Sequence, residues 1–147
     1  QDLNITRDFD LPVELLFTAF TDADVIEHRL SNPNATAKLL KLTNGKHGSF
    51  QVQSTDAGGN VVFRCNGVIH EFIPNTKIIR TFEVEGAPLG VQLEIYNFEK
   101  LTTDTSRLNM HVIYETPAQR DMVLKMPFAQ GLNASHNRIQ ELLGQKK

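Results

Sequence analysis

The sequence predicts an α+β fold, in which a curved antiparallel sheet of about seven strands is covered by a long C-terminal helix. Three observations predict it. Apolar residues recur at helical spacing near the N-terminus, alternate with polar residues from about Ala35 to Glu115, and return to helical spacing after Pro117. Consecutive strands joined by short turns pair antiparallel, and the apolar face of such a sheet must be covered. The C-terminal helix is the element long enough to cover it.

One strand and two short helices precede the alternating region. The segment from Leu3 to Phe9 alternates apolar and polar residues, with Arg7 as a charged exception on the apolar side. Helix-start signals follow at Asp10-Leu11-Pro12 and again at Thr21-Asp22. The apolar residues after these signals keep helical spacing; they are Val13, Leu16, Phe17 and Phe20, and then Val25, Ile26 and Leu30.

About six consecutive strands are predicted between Ala35 and Glu115. Turn residues separate the alternating runs, for example at 56–60 and at Pro74-Asn75. Gly67 interrupts the run that begins at Val61, and an isolated glycine within a strand is typical of a β-bulge. Short turns between all these runs predict an antiparallel meander.

A long helix is predicted from about Pro127 to Gly144, after a short helical segment at 121–125. Pro127 suits a first helical turn, and Gly144 with Lys146 and Lys147 suits a helix end. The residues expected to face the sheet are Phe128, Leu132, Ser135, Ile139 and Leu142.

Composition and charge exclude several classes of protein. The chain has 147 residues, a formal net charge of −2 and no basic stripe, so it does not resemble an electrostatic nucleic-acid binder. No apolar run is long enough to span a membrane, and the start of the sequence shows no secretory signal. A single cysteine, Cys65, suits a reducing compartment and a buried position. We expect one domain over residues 1–147 and a cytoplasmic location.

A search for catalytic and cofactor motifs is negative. Gly45-Lys46-His47-Gly48 lacks the length and ending of a phosphate-binding loop, and neither a dinucleotide fingerprint nor a nucleophile elbow is present. The five histidines do not have metal-ligand spacing. We therefore expect no metal and no cofactor.

Three motifs support a resemblance over nearly the whole chain. They are the segment 9–22 (FDLPVELLFTAFTD), the strand entry at 45–50 (GKHGSF), and the pair 67–74 (GVIHEFIP) and 78–82 (IIRTF). In this order and spacing they resemble the START-like (helix-grip, SRPBCC) superfamily, and within it the branch homologous to activators of heat-shock-protein-90 ATPase. The resemblance implies a hollow between the sheet and the C-terminal helix.

Departures from that branch imply a larger and more polar hollow. The branch usually has a Trp pair where this chain has His28-Arg29, a Gly-Trp where it has Gly131-Leu132, and a Leu in place of His136. These positions line or cover the hollow in the branch, and this chain contains no Trp at all.

Two polar residues are candidates for contacting a ligand. Arg80 falls between Ile78 and Phe82 on one strand face, where it would either bind a ligand carboxylate, form a structural ion pair with a residue such as Glu71, or reach solvent. His136 lies near the apolar stripe of the last helix, as a hydrogen-bonding or acid–base group or as a residue at the edge of the stripe.

The resulting hypothesis is that the protein binds a small, mainly apolar or amphipathic molecule between sheet and helix, through an anionic polar end. A co-chaperone role with a chaperone as partner is one alternative. A cyclase, dehydratase or hydrolase using acid–base groups of the hollow is another, although we expect no catalysis. The candidate ligand-binding residues are Phe17, His28, Phe50, Phe63, Glu71, Arg80, Phe82, Leu132 and His136.

Overall fold

The computed structural model describes residues 1–126 and 128–145, apart from the side chains of Phe128 and Ala129. The described strands are β1 (Asp2–Phe9), β2 (Thr36–Leu42), β3 (Ser49–Thr55), β4 (Val61–Ile73), β5 (Lys77–Val84), β6 (Val91–Lys100) and β7 (Ser106–Ile113). They form one seven-stranded antiparallel sheet with the order β1-β7-β6-β5-β4-β3-β2. Strands β2 to β7 are a meander, and β1 pairs with β7 at its end.

The described helices are α1 (Val13–Thr18), α2 (Ala23–Leu30), α3 (Pro117–Lys125) and α4 (Phe128–Gly144). Asp22 caps α2 as predicted, since its carboxylate accepts the Val25 N–H at 3.1 Å. Helix α3 begins four residues earlier than predicted because Thr116 caps it and Pro117 fits its first turn. The predicted roles of Pro127, Lys146 and Lys147 lie outside the described residues. The predicted α+β fold is confirmed.

The helices lie on one face of the sheet. Helix α1 contacts β6 and β7, α2 contacts β2, and all three shorter helices contact α4. None of the described helices is long and apolar enough to cross a membrane.

The buried apolar residues form two clusters rather than one. The larger cluster joins α1, α4 and the strands β5–β7 and β1, and it includes Leu16, Leu108 and Ile139. The smaller one lies on β2–β4 and consists of Ala37, Phe50, Val52 and Cys65. A sheet with two separate apolar clusters leaves room for a hollow between them.

Helix α4 turns a slightly different stripe toward the core than the spacing predicts. Ile139 and Leu143 are fully buried, and His136 is only 2% exposed. Leu132 and Leu142 are half-buried and pack against the larger cluster. The predicted burial of the Phe128 side chain lies outside the described residues. The inner line is therefore His136, Ile139 and Leu143, at spacings of three and four.

Gly67 does not mark a bulge. It pairs regularly with Phe50, and a Cβ at this position would lie 2.0 Å from the Thr81 carbonyl oxygen and 2.6 Å from the Phe50 ring. Glycine is needed because the ring lies against the backbone there. The bulge in β4 falls at His70, where the β4–β5 register shifts between Ile69 and Glu71.

Candidate functional site

A cavity of about 390 Å³ lies between α4 and the sheet, with contributions from α2 and α3. Pockets for small molecules typically measure about 300 to 1,000 Å³. Phe63 and Met126 line it and are themselves partly exposed to solvent. Its apolar lining comes from Phe20, Leu30, Phe63, Phe82, Val84, Leu89, Met110, Val112, Val123, Met126 and Leu132, and its polar lining from Arg29, Arg80, Gln92, Glu94, Tyr96, Ser135 and His136.

A smaller cavity of about 150 Å³ adjoins it over strands β2–β5. The two share six lining residues, among them Arg29, Phe63, Arg80 and Phe82. Arg80 and Phe82 therefore stand between the two hollows. The smaller cavity also reaches Phe50 and Cys65.

Arg80 is held in a largely buried ion pair, in which 17% of its side chain and 7% of the Glu94 side chain are exposed. It lies directly opposite Glu94 in the β5–β6 ladder, which places both side chains on one face of the sheet. Arg80 Nε donates to Glu94 Oε1 at 2.8 Å, and Arg80 Nη2 donates to the Tyr96 hydroxyl at 2.9 Å. The Tyr96 hydroxyl donates to the same carboxylate oxygen at 2.9 Å, and Gln92 donates to the other at 2.9 Å.

This network shifts the pKa values of Arg80 and Tyr96. Burial lowers the pKa of Arg80, but Tyr96 and Glu94 more than offset burial, so that the pKa lies above its ordinary value. Burial raises the pKa of the Tyr96 hydroxyl, and Glu94 adds to the effect. Arg80 is thus a cation whose charge Glu94 already balances, with its guanidinium over the rings of Phe50 and Tyr96.

Arg29 is the second cation in the cavity wall. Only 8% of it is exposed, and its guanidinium lies 4.7 Å from the centre of the Phe20 ring. Its Nε donates to the Ala19 carbonyl at 2.8 Å, and its Nη1 donates to Ser135 Oγ at 3.1 Å. Neither acceptor is charged. Burial lowers the pKa of Arg29 to about 10, and Arg80 contributes in the same direction.

His136 lies one residue beyond Ser135 on α4. Burial lowers the pKa of His136 to about 4, and the positive charges of Arg29 and Arg7 act in the same direction. Its imidazole is therefore neutral near pH 7, and it packs edge-on against Phe9 with the ring centres 5.8 Å apart. A neutral imidazole can donate one hydrogen bond and accept another.

Five of the predicted site residues line the larger cavity: Phe63, Arg80, Phe82, Leu132 and His136. Phe50 lines the smaller one. The structure therefore brings together predicted residues from two strands and from the C-terminal helix.

Three predicted site residues lie elsewhere. Phe17 packs inside the larger apolar cluster, against the rings of Phe72 and Phe98. His28 is exposed on α2, where its Nδ1 contacts the Asp24 carbonyl oxygen at 2.7 Å. Glu71 is not the partner of Arg80 and pairs with Ile79, whose side chain points to the opposite face. The bulge at His70 is the physical reason, because it shifts Glu71 off the inner face.

Arg29, Glu94 and Tyr96 are not among the ligand-binding residues predicted from the sequence, although the resemblance places Arg29 at a position that lines or covers the hollow. For Arg29 a signal was present, since it follows the buried Ile26 by three residues and so shares its helix face. Glu94 and Tyr96 alternate in phase on β6, but only the strand register identifies them as neighbours of Arg80.

The structure gives no chemical role to Cys65. It is buried, and burial raises the pKa of its thiol to about 11, which leaves it protonated. Within residues 1–126 and 128–145 no three His, Cys, Asp or Glu side chains come together in a way that could hold a metal ion.

The fold is that of a helix-grip protein of the START-like superfamily. It combines a seven-stranded antiparallel sheet, two short helices after the first strand, and a C-terminal helix over a hollow. The chain belongs to the family of Activator of Hsp90 ATPase homolog 1-like proteins, whose model matches residues 10–144. No curated protein matches the sequence.

Several solved structures share the fold. A protein from Rhodobacter sphaeroides has a TM-score of 0.89 at 19% identity, covering 98% of this chain and 93% of its own. Protein Ms6760 from Mycobacterium smegmatis has a TM-score of 0.85 at 20% identity, and the match covers 97% of this chain and 90% of the Ms6760 chain. Protein NE0264 from Nitrosomonas europaea has a TM-score of 0.84 at 21% identity, and the match covers 99% of this chain and 96% of the NE0264 chain. At these identities the likeness shows the fold alone.

Proposed function

We propose that the protein binds a small, mainly apolar or amphipathic molecule in the cavity between α4 and the sheet. The observation that carries this proposal is a cavity of about 390 Å³ whose lining is mostly apolar and includes a smaller number of polar groups. Such a wall buries an apolar body and orients a polar end.

The proposed contacts follow from the lining. Phe63, Phe82 and Leu132 would hold the apolar body of the ligand, and His136 faces the same space. Arg80 would contact the ligand through the apolar part of its side chain, since its charge is bound to Glu94.

Catalysis and chaperone regulation are the two alternatives. The buried acid–base groups argue against catalysis, because Glu94 accepts hydrogen bonds on both oxygens and Tyr96 is bound to it. Stimulation of a chaperone ATPase is suggested by the family description alone. It remains a prediction, as do a single domain over 1–147 and a cytoplasmic location.

A neutral probe tests the proposal without involving charge. N-phenyl-1-naphthylamine, whose fluorescence rises in apolar surroundings, is titrated into the wild-type protein and into Leu132→Trp. The larger ring at position 132 fills part of the cavity, so we expect saturable binding to wild type and at least about tenfold weaker binding to the variant.

The control is Leu40→Trp, at a half-exposed position that lines neither cavity. This variant should bind the probe like wild type. Absence of saturable binding to wild type, or equal binding by Leu132→Trp with an unchanged melting temperature, would contradict the proposed function.

A further inference from the structure

We propose that the ligand carries a single carboxylate, and that Arg29 receives it together with Ser135. This inference rests on the proposed function and specifies the ligand class and the anchoring residue. Arg29 projects from α2 and Ser135 from α4, so the anion would lie where these two helices meet above the sheet.

Arg29 has hydrogen-bonding capacity left over. A guanidinium has five N–H donors, and Arg29 uses one on the Ala19 carbonyl and one on Ser135 Oγ. The remaining three have no acceptor among the described residues, although the side chain is more than nine-tenths buried and lines the cavity. Because Arg29 lines the cavity, an acceptor on the ligand can take these donors in place of water and complete the site.

Among the described residues, the charges of the cavity wall leave one positive charge unbalanced. Arg80 and Glu94 balance each other at 2.8 Å. His136 is neutral near pH 7, and the acceptors of Arg29 are a carbonyl and a hydroxyl. A buried charge without a counterion is costly, so a monoanion offsets this cost where a neutral ligand does not.

A carboxylate fits the donors better than a doubly charged phosphate. A guanidinium edge matches the two oxygens of a carboxylate, and a second negative charge would find no further free cation among the described lining residues. Ser135 accepts from Arg29 through its oxygen, which leaves its own O–H able to donate to the anion.

Isothermal titration of the whole chain with matched ligands tests the inference. The ligands are decanoate, 1-decanol and decyl phosphate, which share one apolar chain and differ in the polar end. Decanoate should bind wild type about tenfold or more tightly than decanol, because it gains a charge-assisted contact. Arg29→Gln should lose that preference, because it should weaken decanoate binding by about tenfold or more and decanol binding clearly less.

Arg7→Gln is the matched control. Arg7 lies close enough to lower the pKa of His136, but it lines neither cavity. It should therefore keep the preference for decanoate.

If Arg29→Gln does not fold, Ser135→Ala replaces it, with an expected loss of a few-fold for decanoate alone. The carbon-13 signal of carboxyl-labelled decanoate gives an independent measurement on wild type, where the pKa of the bound acid should lie below that of the free acid.

The outcomes separate the two proposals. Equal affinity of wild type for decanoate and decanol, or equal losses for both in Arg29→Gln, overturns the carboxylate site and leaves cavity binding intact. Tighter binding of decyl phosphate than of decanoate overturns the monoanion assignment. Failure of decanol, decanoate and the neutral naphthylamine to bind at all overturns the proposed function itself.

Discussion

At the scale of single residues, the two arginines of the cavity wall have opposite roles. Arg80 has a carboxylate partner at 2.8 Å, whereas Arg29 has a carbonyl and a hydroxyl. An ion pair removed from water stabilises the fold only while both partners are present. Arg80 therefore belongs to the structure of the sheet, and Arg29 is the cation left for a ligand.

Replacing Glu94 should be strongly destabilising. Glu94→Gln leaves Arg80 as an unbalanced buried charge, which costs about 3 to 5 kcal/mol in the free energy of unfolding. Urea denaturation monitored by circular dichroism measures this loss. Glu99→Gln, on the same strand but exposed, should change little. A loss as small for Glu94→Gln as for Glu99→Gln would show that the pair is not structural.

His136 should make the stability of the protein depend on pH. Its folded pKa of about 4 lies below the ordinary 6.5, so the folded state favours the neutral ring. The neutral His136 ring contributes its full share of the free energy of unfolding above pH 6.5. This contribution is lost as the pH falls toward 4, because the unfolded chain protonates His136 at a higher pH than the folded chain does. Between pH 7 and pH 5 the free energy of unfolding should fall by about 2 kcal/mol from this group.

The measurement compares urea melts of wild type and His136→Gln at both pH values. The variant should lose most of the pH dependence in this window, while His28→Gln, at an exposed position, should keep it. Identical pH profiles for wild type and His136→Gln would contradict the assignment of a buried neutral ring.

At the scale of elements, α4 serves the core and the cavity with different residues. Ile139 and Leu143 are fully buried in the larger cluster, whereas Leu132, Ser135 and His136 line the cavity. The helix therefore closes the core near its C-terminal end and borders the hollow nearer its start.

Shortening a side chain in the core part of α4 should lower the free energy of unfolding more than shortening one beside the cavity. Ile139→Ala removes packed atoms from the core and should cost about 2 to 5 kcal/mol in the free energy of unfolding. Leu132→Ala should cost less, because a side chain beside a cavity already has fewer contacts to lose. Chemical denaturation of both variants measures the difference, and equal losses would indicate that no hollow lies beside Leu132.

At the scale of the whole molecule, the cavity separates the two apolar clusters. The smaller one, on β2–β4, is joined to the larger one through the residues that line both hollows, such as Phe20 and Arg80. Strand β2 is at the edge of the sheet and packs against α2. Few buried contacts and an open edge are features of a region that unfolds locally at low cost.

Hydrogen exchange should reveal this difference. Amides of the β2–β3 ladder should exchange faster than those of the β6–β7 ladder, because β2 is an edge strand with few buried contacts. Exchange measured by mass spectrometry or NMR on the free protein tests this statement. Equal protection of the two ladders in the free protein would contradict the model of two separate clusters.

The sequence by itself determined the order and type of the elements. Alternation and helical spacing fix which residues can share a face, and they predict the seven strands, the short helices and α4. The hollow is instead implied by the family resemblance, and Leu132 and His136 remain predictions as ligand-binding residues.

Only the tertiary structure decided which polar groups meet. The register of β5 on β6 pairs Arg80 with Glu94, and the bulge at His70 turns Glu71 away. Neither is visible in a single strand, because pairing depends on energies between segments distant in sequence. The choice between His28 and Arg29 likewise depends on where α2 packs against α4, and that packing buries the arginine and exposes the histidine.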